Sequence, residues 1–305
     1  MVLMRYGIIQ PVFSYYGIDK FEFPLLHFVL LVFSVVLVAA DGYMINDYFD
    51  VKTDQINRPD KIVIGKFIKA SRVYSTYFIL NIIAMCLSLY ISYKVRVVYL
   101  FVIFPLTIGL LWFYSTTYKR QLLLGNLLVS LITALVPLLV VLYEMPLIHT
   151  KYIDKPEAYL VLLKVVFSLC GVYSVFAFMI TFIRELVKDA EDFDGDKANG
   201  RNTLLIVFGL AVTRKVITTL ILITIALLVY IYCKYLIISC LRKIDIITML
   251  YFVLFLIIPL TVVIFMVVRA KGKRHFFFAS SILKFVMLAG ILYTIVMRIK
   301  FLNCS

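Results

Sequence analysis

Eight nearly uninterrupted apolar runs leave this chain few folds to choose from. They cover residues 23–40, 73–93, 97–114, 122–143, 158–183, 216–233, 246–268 and 276–297. A helix needs about 20 mostly apolar residues to cross a bilayer. The runs are rich in Leu, Ile, Val and Phe and show little alternation, which argues against a β-barrel. Of the 305 residues, 64% are hydrophobic and only 16% charged, more apolar surface than a water-soluble interior of this size can bury. The expected fold is all-α: a polytopic membrane bundle of about nine transmembrane helices around a central cavity, forming a single domain over 1–305. The ninth helix is a shorter stretch, 2–15, carrying Arg5 and Pro11. Its length suggests a first helix that is truncated at Met1.

The formal net charge of +14 would suggest nucleic acid in a soluble protein. Here most Lys and Arg fall in short segments between apolar runs, where they meet lipid headgroups, so nucleic acid is excluded as a partner. With 2–15 counted as a span, segments 44–72, 115–121, 184–215 and 269–275 share one face and hold 18 Lys and Arg, against 10 on the other face, which include Lys155, Arg242 and Lys243. The first face is therefore expected to be cytoplasmic, in a cell (inner) membrane. Lys164 and Lys284 lie inside apolar runs. Lys164 is near a helix end and expected to snorkel; Lys284 is deeper and a candidate for the cavity wall. The five cysteines, Cys86, Cys170, Cys233, Cys240 and Cys304, form no CxxC pair and read as inert. Residues 1–10 lack the basic start and small-residue cleavage site of a signal peptide.

The acidic residues concentrate in the two longest segments of that same face. Asn46, Asp50 and Asp54 are spaced i, i+4, i+8, one stripe of a helix continuing from a membrane span, and Pro59 should stop that helix after Arg58. In the second segment Asp192 and Asp196 repeat the spacing, with Glu185 and Asp189 extending the stripe backward. Stacked carboxylates repel unless a cation offsets them. Carboxylate and amide oxygens at a membrane boundary suit a hard cation such as Mg²⁺. Other metal and nucleotide motifs fail. A calcium loop starting at Asp192 would have Lys197 and Thr203 where Gly and Glu are needed. No GxxxxGK[ST] is present, and His27, His149 and His275 lack metal-ligand spacing.

With these residues in view, the chain resembles the UbiA superfamily of intramembrane prenyltransferases. The family pattern is NxxxDxxxD in one loop and DxxxD in a second, matched by Asn46/Asp50/Asp54 and Asp192/Asp196. Asn57-Arg58-Pro59 and Tyr114-Ser-x-x-x-Lys119-Arg120 are also typical, and the likeness covers nearly the whole chain. It implies a nine-helix bundle whose lipid-accessible cavity is capped by the two Asp-rich loops. It further implies that Asn46, Asp50, Asp54, Asp192 and Asp196 bind a prenyl diphosphate through Mg²⁺, with Lys119, Arg58 and Tyr114 on diphosphate oxygens. The reaction implied is electrophilic alkyl transfer in a dry cavity, where some of the 25 Phe and 21 Tyr would steady an allylic cation.

The acceptor is less fixed by sequence. The stretch from Arg184 to Lys197, followed by Gly200-Arg201-Asn-Thr-Leu204, looks most like the geranylgeranylglycerol-phosphate geranylgeranyltransferase-like branch. A quinone-pathway enzyme prenylating dihydroxynaphthoate or 4-hydroxybenzoate is the alternative. A CDP-alcohol phosphotransferase would need DxxDGxxAR, which Glu191-Asp-Phe-Asp194-Gly195 does not supply. A transporter would place its charges near the bilayer midplane.

Overall fold

The computed structural model describes residues 1–18, 20–151, 156–236 and 245–302; Lys155, Arg242, Lys243, Cys240 and Cys304 lie outside them. Those residues are helical apart from turns and one isolated bridge between Ile64 and Ile68. Helix α1 covers 2–15, with a wider π turn at Arg5–Ile9. Then follow α2 (Leu25–Asn57), α3 (Ala70–Lys94), α4 (Val98–Thr116), α5 (Leu124–Lys151), α6 (Pro156–Glu191), the short α7 (Phe193–Ala198), α8 (Leu204–Lys234), α9 (Ile246–Val268) and α10 (Lys273–Leu302). Among the described residues, α2–α6 and α8–α10 are long and apolar enough to cross a bilayer, matching the eight runs. Helix α1, at 14 residues, rises about 21 Å, short of the roughly 30 Å hydrocarbon core.

Along α2 the two faces separate cleanly. Leu26, Val29, Phe33 and Val36 are exposed at helical spacing, while Phe28, Leu31, Val38 and Ile45 are buried. In a bilayer the first set meets lipid and the second meets neighbouring helices. Helix α6 is the hub: it packs against α5, α8, α10 and α1, while α2 packs on α3 and α4. Lys164 and Lys284 are both exposed, and Lys284 lines neither of the cavities described below. Its candidacy for the wall of either cavity thus falls away.

The helices run further than the apolar runs. Helix α2 has 33 residues, about 50 Å at 1.5 Å per residue, so its last dozen overhang a 30 Å core. Segments expected as loops, 44–72 and 184–215, are therefore largely helix. Hydropathy marks where apolar side chains stop, whereas a helix continues until its backbone is interrupted. Interruption comes at Arg58 (φ −150°) before Pro59 and at Gly200, whose φ of +66° is left-handed and disfavours a side chain. A third break, Gly209 with φ +76°, kinks α8.

Away from the Asp-rich end, Arg5 lies 2% exposed beside Glu144 at 1%. The two are 3.9 Å apart. The guanidinium donates to the Phe23 carbonyl and sits 4.2 Å and 4.4 Å from the ring centres of Phe21 and Phe28. Glu144 accepts from the backbone amides of Glu22 and Phe23 at 2.8 and 3.1 Å. This cluster ties α1 and the stretch from Phe21 to Phe23 to α5. Close packing extends it: a Cβ on Gly7 would approach Thr294 of α10 to 2.8 Å.

Candidate active site

The four segments predicted to share a face do meet. Lys119 Nζ donates to Asp50 at 2.6 Å, Lys273 Nζ to the Asn57 carbonyl at 2.7 Å, Asn202 N to the Arg120 carbonyl at 3.0 Å, and Arg58 to Asp192 at 3.0 Å. The overhanging end of α2 supplies Asn46, Asp50 and Asp54 as one stripe, as spacing predicts. The second motif departs from a simple stripe. Helix α6 ends at Glu191, Asp192 is non-helical (φ −92°, ψ 14°), and Asp196 lies within α7. The break turns α7 back onto α2.

A side-chain latch holds the two motifs in register. Asn57 donates to the Asp192 carbonyl at 3.1 Å and accepts from the Gly195 amide at 3.0 Å. A Cβ on Gly195 would come within 2.5 Å of Asn57 Nδ2, so only glycine permits this approach. Arg58 adds a fork, donating to both Asp192 and, at 2.9 Å, Glu191.

Sequence reasoning missed Arg201 as a site residue. Its guanidinium donates to Asp50, to Asp196 at 2.9 Å and to Thr53 at 3.2 Å, joining one carboxylate of each motif. The available signal was its place after Gly200, five residues past Asp196. Lys119 reaches Asn46 at 3.3 Å as well as Asp50. Tyr114 lies below this rim, lining the cavity beside Asn46.

Five carboxylates (Asp50, Asp54, Glu191, Asp192, Asp196) thus face three cations (Lys119, Arg58, Arg201). The surplus is negative in a partly desolvated place, where such an excess is costly. Burial pushes the Asp196 carboxyl up to about 6 against the opposing pull of Arg201. Burial likewise lowers the Lys119 ammonium, an effect that neighbouring Asp50 opposes. The donor chemistry fits Mg²⁺: hard carboxylate and amide oxygens with negative charge in excess. Among the described residues, no three His, Cys, Asp or Glu side chains converge on one point. Such a spread set suits an ion held by one or two carboxylates together with substrate phosphates, which is how Mg²⁺ is commonly bound.

Beneath the rim, a cavity of about 340 Å³ is lined at its polar end by Asn46, Asp47, Arg184, Glu185 and Lys188, and further in by Val35, Leu135 and Val136. A second cavity of about 460 Å³, almost wholly apolar, lies between α1, α5, α6 and α8–α10. It shares Thr133, Val136 and Met287 with the first. The two form a graded interior, from charged rim to hydrocarbon.

Comparison with known proteins agrees with this architecture. A model of the UbiA prenyltransferase family matches residues 12–295. Digeranylgeranylglyceryl phosphate synthase of Sulfurisphaera tokodaii is 30% identical over 201 residues, which make up 64% of this chain and 64% of that protein. The chain thus spans just under two-thirds of the length of that curated relative. A structure reported for digeranylgeranylglyceryl phosphate synthase in membranes superposes with a TM-score of 0.56, covering 98% of this chain and 94% of that one at 23% identity. A UbiA homologue from Archaeoglobus fulgidus, solved with GPP and Mg²⁺, gives a TM-score of 0.52, with 96% and 98% coverage at 16% identity; at these identities the likeness establishes the fold. With a family model spanning nearly its whole length and eight membrane-length helices, the chain is a multi-pass membrane protein that belongs to the UbiA prenyltransferase family.

Proposed function

We propose that residues 1–305 act as one Mg²⁺-dependent prenyltransferase unit, moving an isoprenyl group from a prenyl diphosphate to the hydroxyl of a prenylated glyceryl phosphate. The observation that carries this reading is the meeting of two carboxylate motifs, 138 residues apart between Asp54 and Asp192, on the rim of a cavity that grades from charged to apolar. The relatives named above support the acceptor class. In the reaction the bond from donor C1 to its diphosphate oxygen breaks, the electron pair leaving with diphosphate. A bond from C1 to the acceptor oxygen forms as the hydroxyl proton is lost.

Asn46, Asp50, Asp54, Asp192 and Asp196 would hold the metal, which when bound neutralises charge on the leaving diphosphate. Lys119, Arg58 and Arg201 lie within reach of the same oxygens and supply fixed positive charge; Tyr114 closes the rim from below. The apolar cavities take the isoprenoid tails and exclude the water that would otherwise capture the allylic cation. We place the rim on the cytoplasmic side of the cell membrane, following the excess of basic residues there.

The test is a vesicle assay of the full chain with labelled geranylgeranyl diphosphate and Mg²⁺, offering geranylgeranylglyceryl phosphate and dihydroxynaphthoate in parallel. Labelled product with the first acceptor, abolished by chelation, is expected. Product with only the second would reassign the chain to quinone-type chemistry. Absence of both product and Mg²⁺-dependent diphosphate release would overturn the enzymatic reading.

A further inference from the structure

Two further cations lie just below the rim, close enough for Lys188 to feel Asp192 and Asp196. Arg184 and Lys188 project from one face of α6 into the polar end of the 340 Å³ cavity. They lie eight and four residues before Asp192, about 12 and 6 Å deeper along the helix axis. None of Lys119, Arg58 and Arg201 lines this cavity, so Arg184 and Lys188 are the cations that face its interior. Arg184 donates one N–H, from Nη1, to Glu185 Oε1 at 2.6 Å, and a guanidinium has further donors to offer. Lys188 makes no side-chain hydrogen bond or close ion pair among the described residues; Glu185, most strongly, and Asp192 attract it through space. The acidic groups facing the same space are Glu185 and Asp47. Asp189, next to Lys188 in the chain, does not line the cavity and is held by Asn126 at 2.7 Å.

The geometry points to Arg184 and Lys188 as the site that binds the acceptor's phosphate, selecting phosphorylated over dephosphorylated acceptors; this rests on the glyceryl phosphate reading above. A donor hung from the rim by its diphosphate presents C1 just below the carboxylates. The attacked hydroxyl must sit beside C1, and in a glyceryl phosphate the phosphate is only a few bonds from that hydroxyl. One to two helical turns below the rim is the depth at which that phosphate then falls. The acceptor's tail continues into the apolar wall at Val35, Leu135 and Val136. A cation half-buried at such depth is costly unless an anion meets it, and a phosphate monoester takes several N–H donors at once. The acidic neighbours keep the pair balanced between turnovers and make it discriminate against weakly charged headgroups.

The test compares wild type, Lys188→Gln, Arg184→Gln and Lys188→Arg in full-length protein in vesicles. The acceptors are geranylgeranylglyceryl phosphate and geranylgeranylglycerol, its dephosphorylated form. Expected for Lys188→Gln is a rise of about ten-fold or more in KM for the phosphorylated acceptor. KM for the donor and turnover with the dephosphorylated acceptor should stay unchanged, and Lys188→Arg should retain most of the wild-type preference. Arg184→Gln should act in the same direction, and since it leaves Glu185 without its partner, Lys188→Gln is the variant whose folding is least at risk. A raised donor KM with both acceptors would assign the pair to the donor diphosphate and overturn the inference. So would an unchanged acceptor KM in Lys188→Gln when the wild type transfers. A wild type that makes no product from geranylgeranylglyceryl phosphate would overturn the function reading as well.

Discussion

Two charge clusters occupy opposite ends of the bundle and are built on different principles. At the α1 end, one cation, Arg5, meets one carboxylate, Glu144, almost sealed from solvent and walled by aromatic rings. Charge is balanced, and backbone groups partner Arg5 Nη2 and Glu144 Oε1, while Arg5 Nε and Nη1 and Glu144 Oε2 make no hydrogen bond. At the Asp-rich end, carboxylates outnumber cations, several groups are buried too (Asp50, Glu191, Asp196) while Arg58 is partly exposed, and each cation is shared between carboxylates or between a carboxylate and an amide. The first arrangement sets one cation against one carboxylate, leaves no surplus charge and serves as scaffold. The second retains a negative excess, which is what a cation and its phosphate ligands require. Burial alone therefore does not separate structure from function here; stoichiometry of charge does.

Breaking the scaffold cluster should give the largest effect. Glu144→Ala strands Arg5 and is expected to cost about 3–5 kcal/mol of stability, read as a lowered Tm in detergent, whereas Arg5→Met with Glu144→Leu should regain much of it. Full stability in Glu144→Ala would dissolve the contrast between the clusters. Asp50→Ala or Asp192→Ala should do the converse: transfer falls about 100- to 1,000-fold, while helical content and membrane insertion stay as in wild type. Next, Arg201→Lys is expected to lose about ten-fold or more in kcat/KM, because a single ammonium cannot span Asp50 and Asp196 as a guanidinium fork does. Wild-type kinetics in that variant would reduce Arg201 to a bystander. Smallest is Gly195→Ala: displacing Asn57 should cost about 1–3 kcal/mol and loosen the rim, seen as a modest rise in donor KM with little change at the Arg5 end.

How much of this could be read in advance depends on the separation of the parts. Asn46, Asp50 and Asp54 were legible because one helical period records their common face, and Pro59 records where it ends. Asp192 and Asp196 have the same spacing, but the chain breaks at Asp192, since tertiary contact with Asn57 overrides a local preference for continuing the helix. The Arg201 bridge and the Arg5–Glu144 pair were not legible: each joins groups about 140–150 residues apart, and neither leaves a periodic trace. The helix overhangs escaped hydropathy because it scores side chains and not backbone continuity.

Those overhangs also make bilayer thickness a variable of the reaction. Since α2 runs unbroken from Leu25 to Asn57, the carboxylates cannot move independently of the hydrocarbon-facing half of the same rod. In a thin membrane the rim stands clear in water, where charged donors arrive easily but the cavity mouth is wetter. In a thick one the rim is drawn into the headgroup layer, unless the bundle tilts or the lipid thins around it at some elastic cost. Lipid chain length thus sets the height at which water-soluble and oil-soluble substrates are brought together.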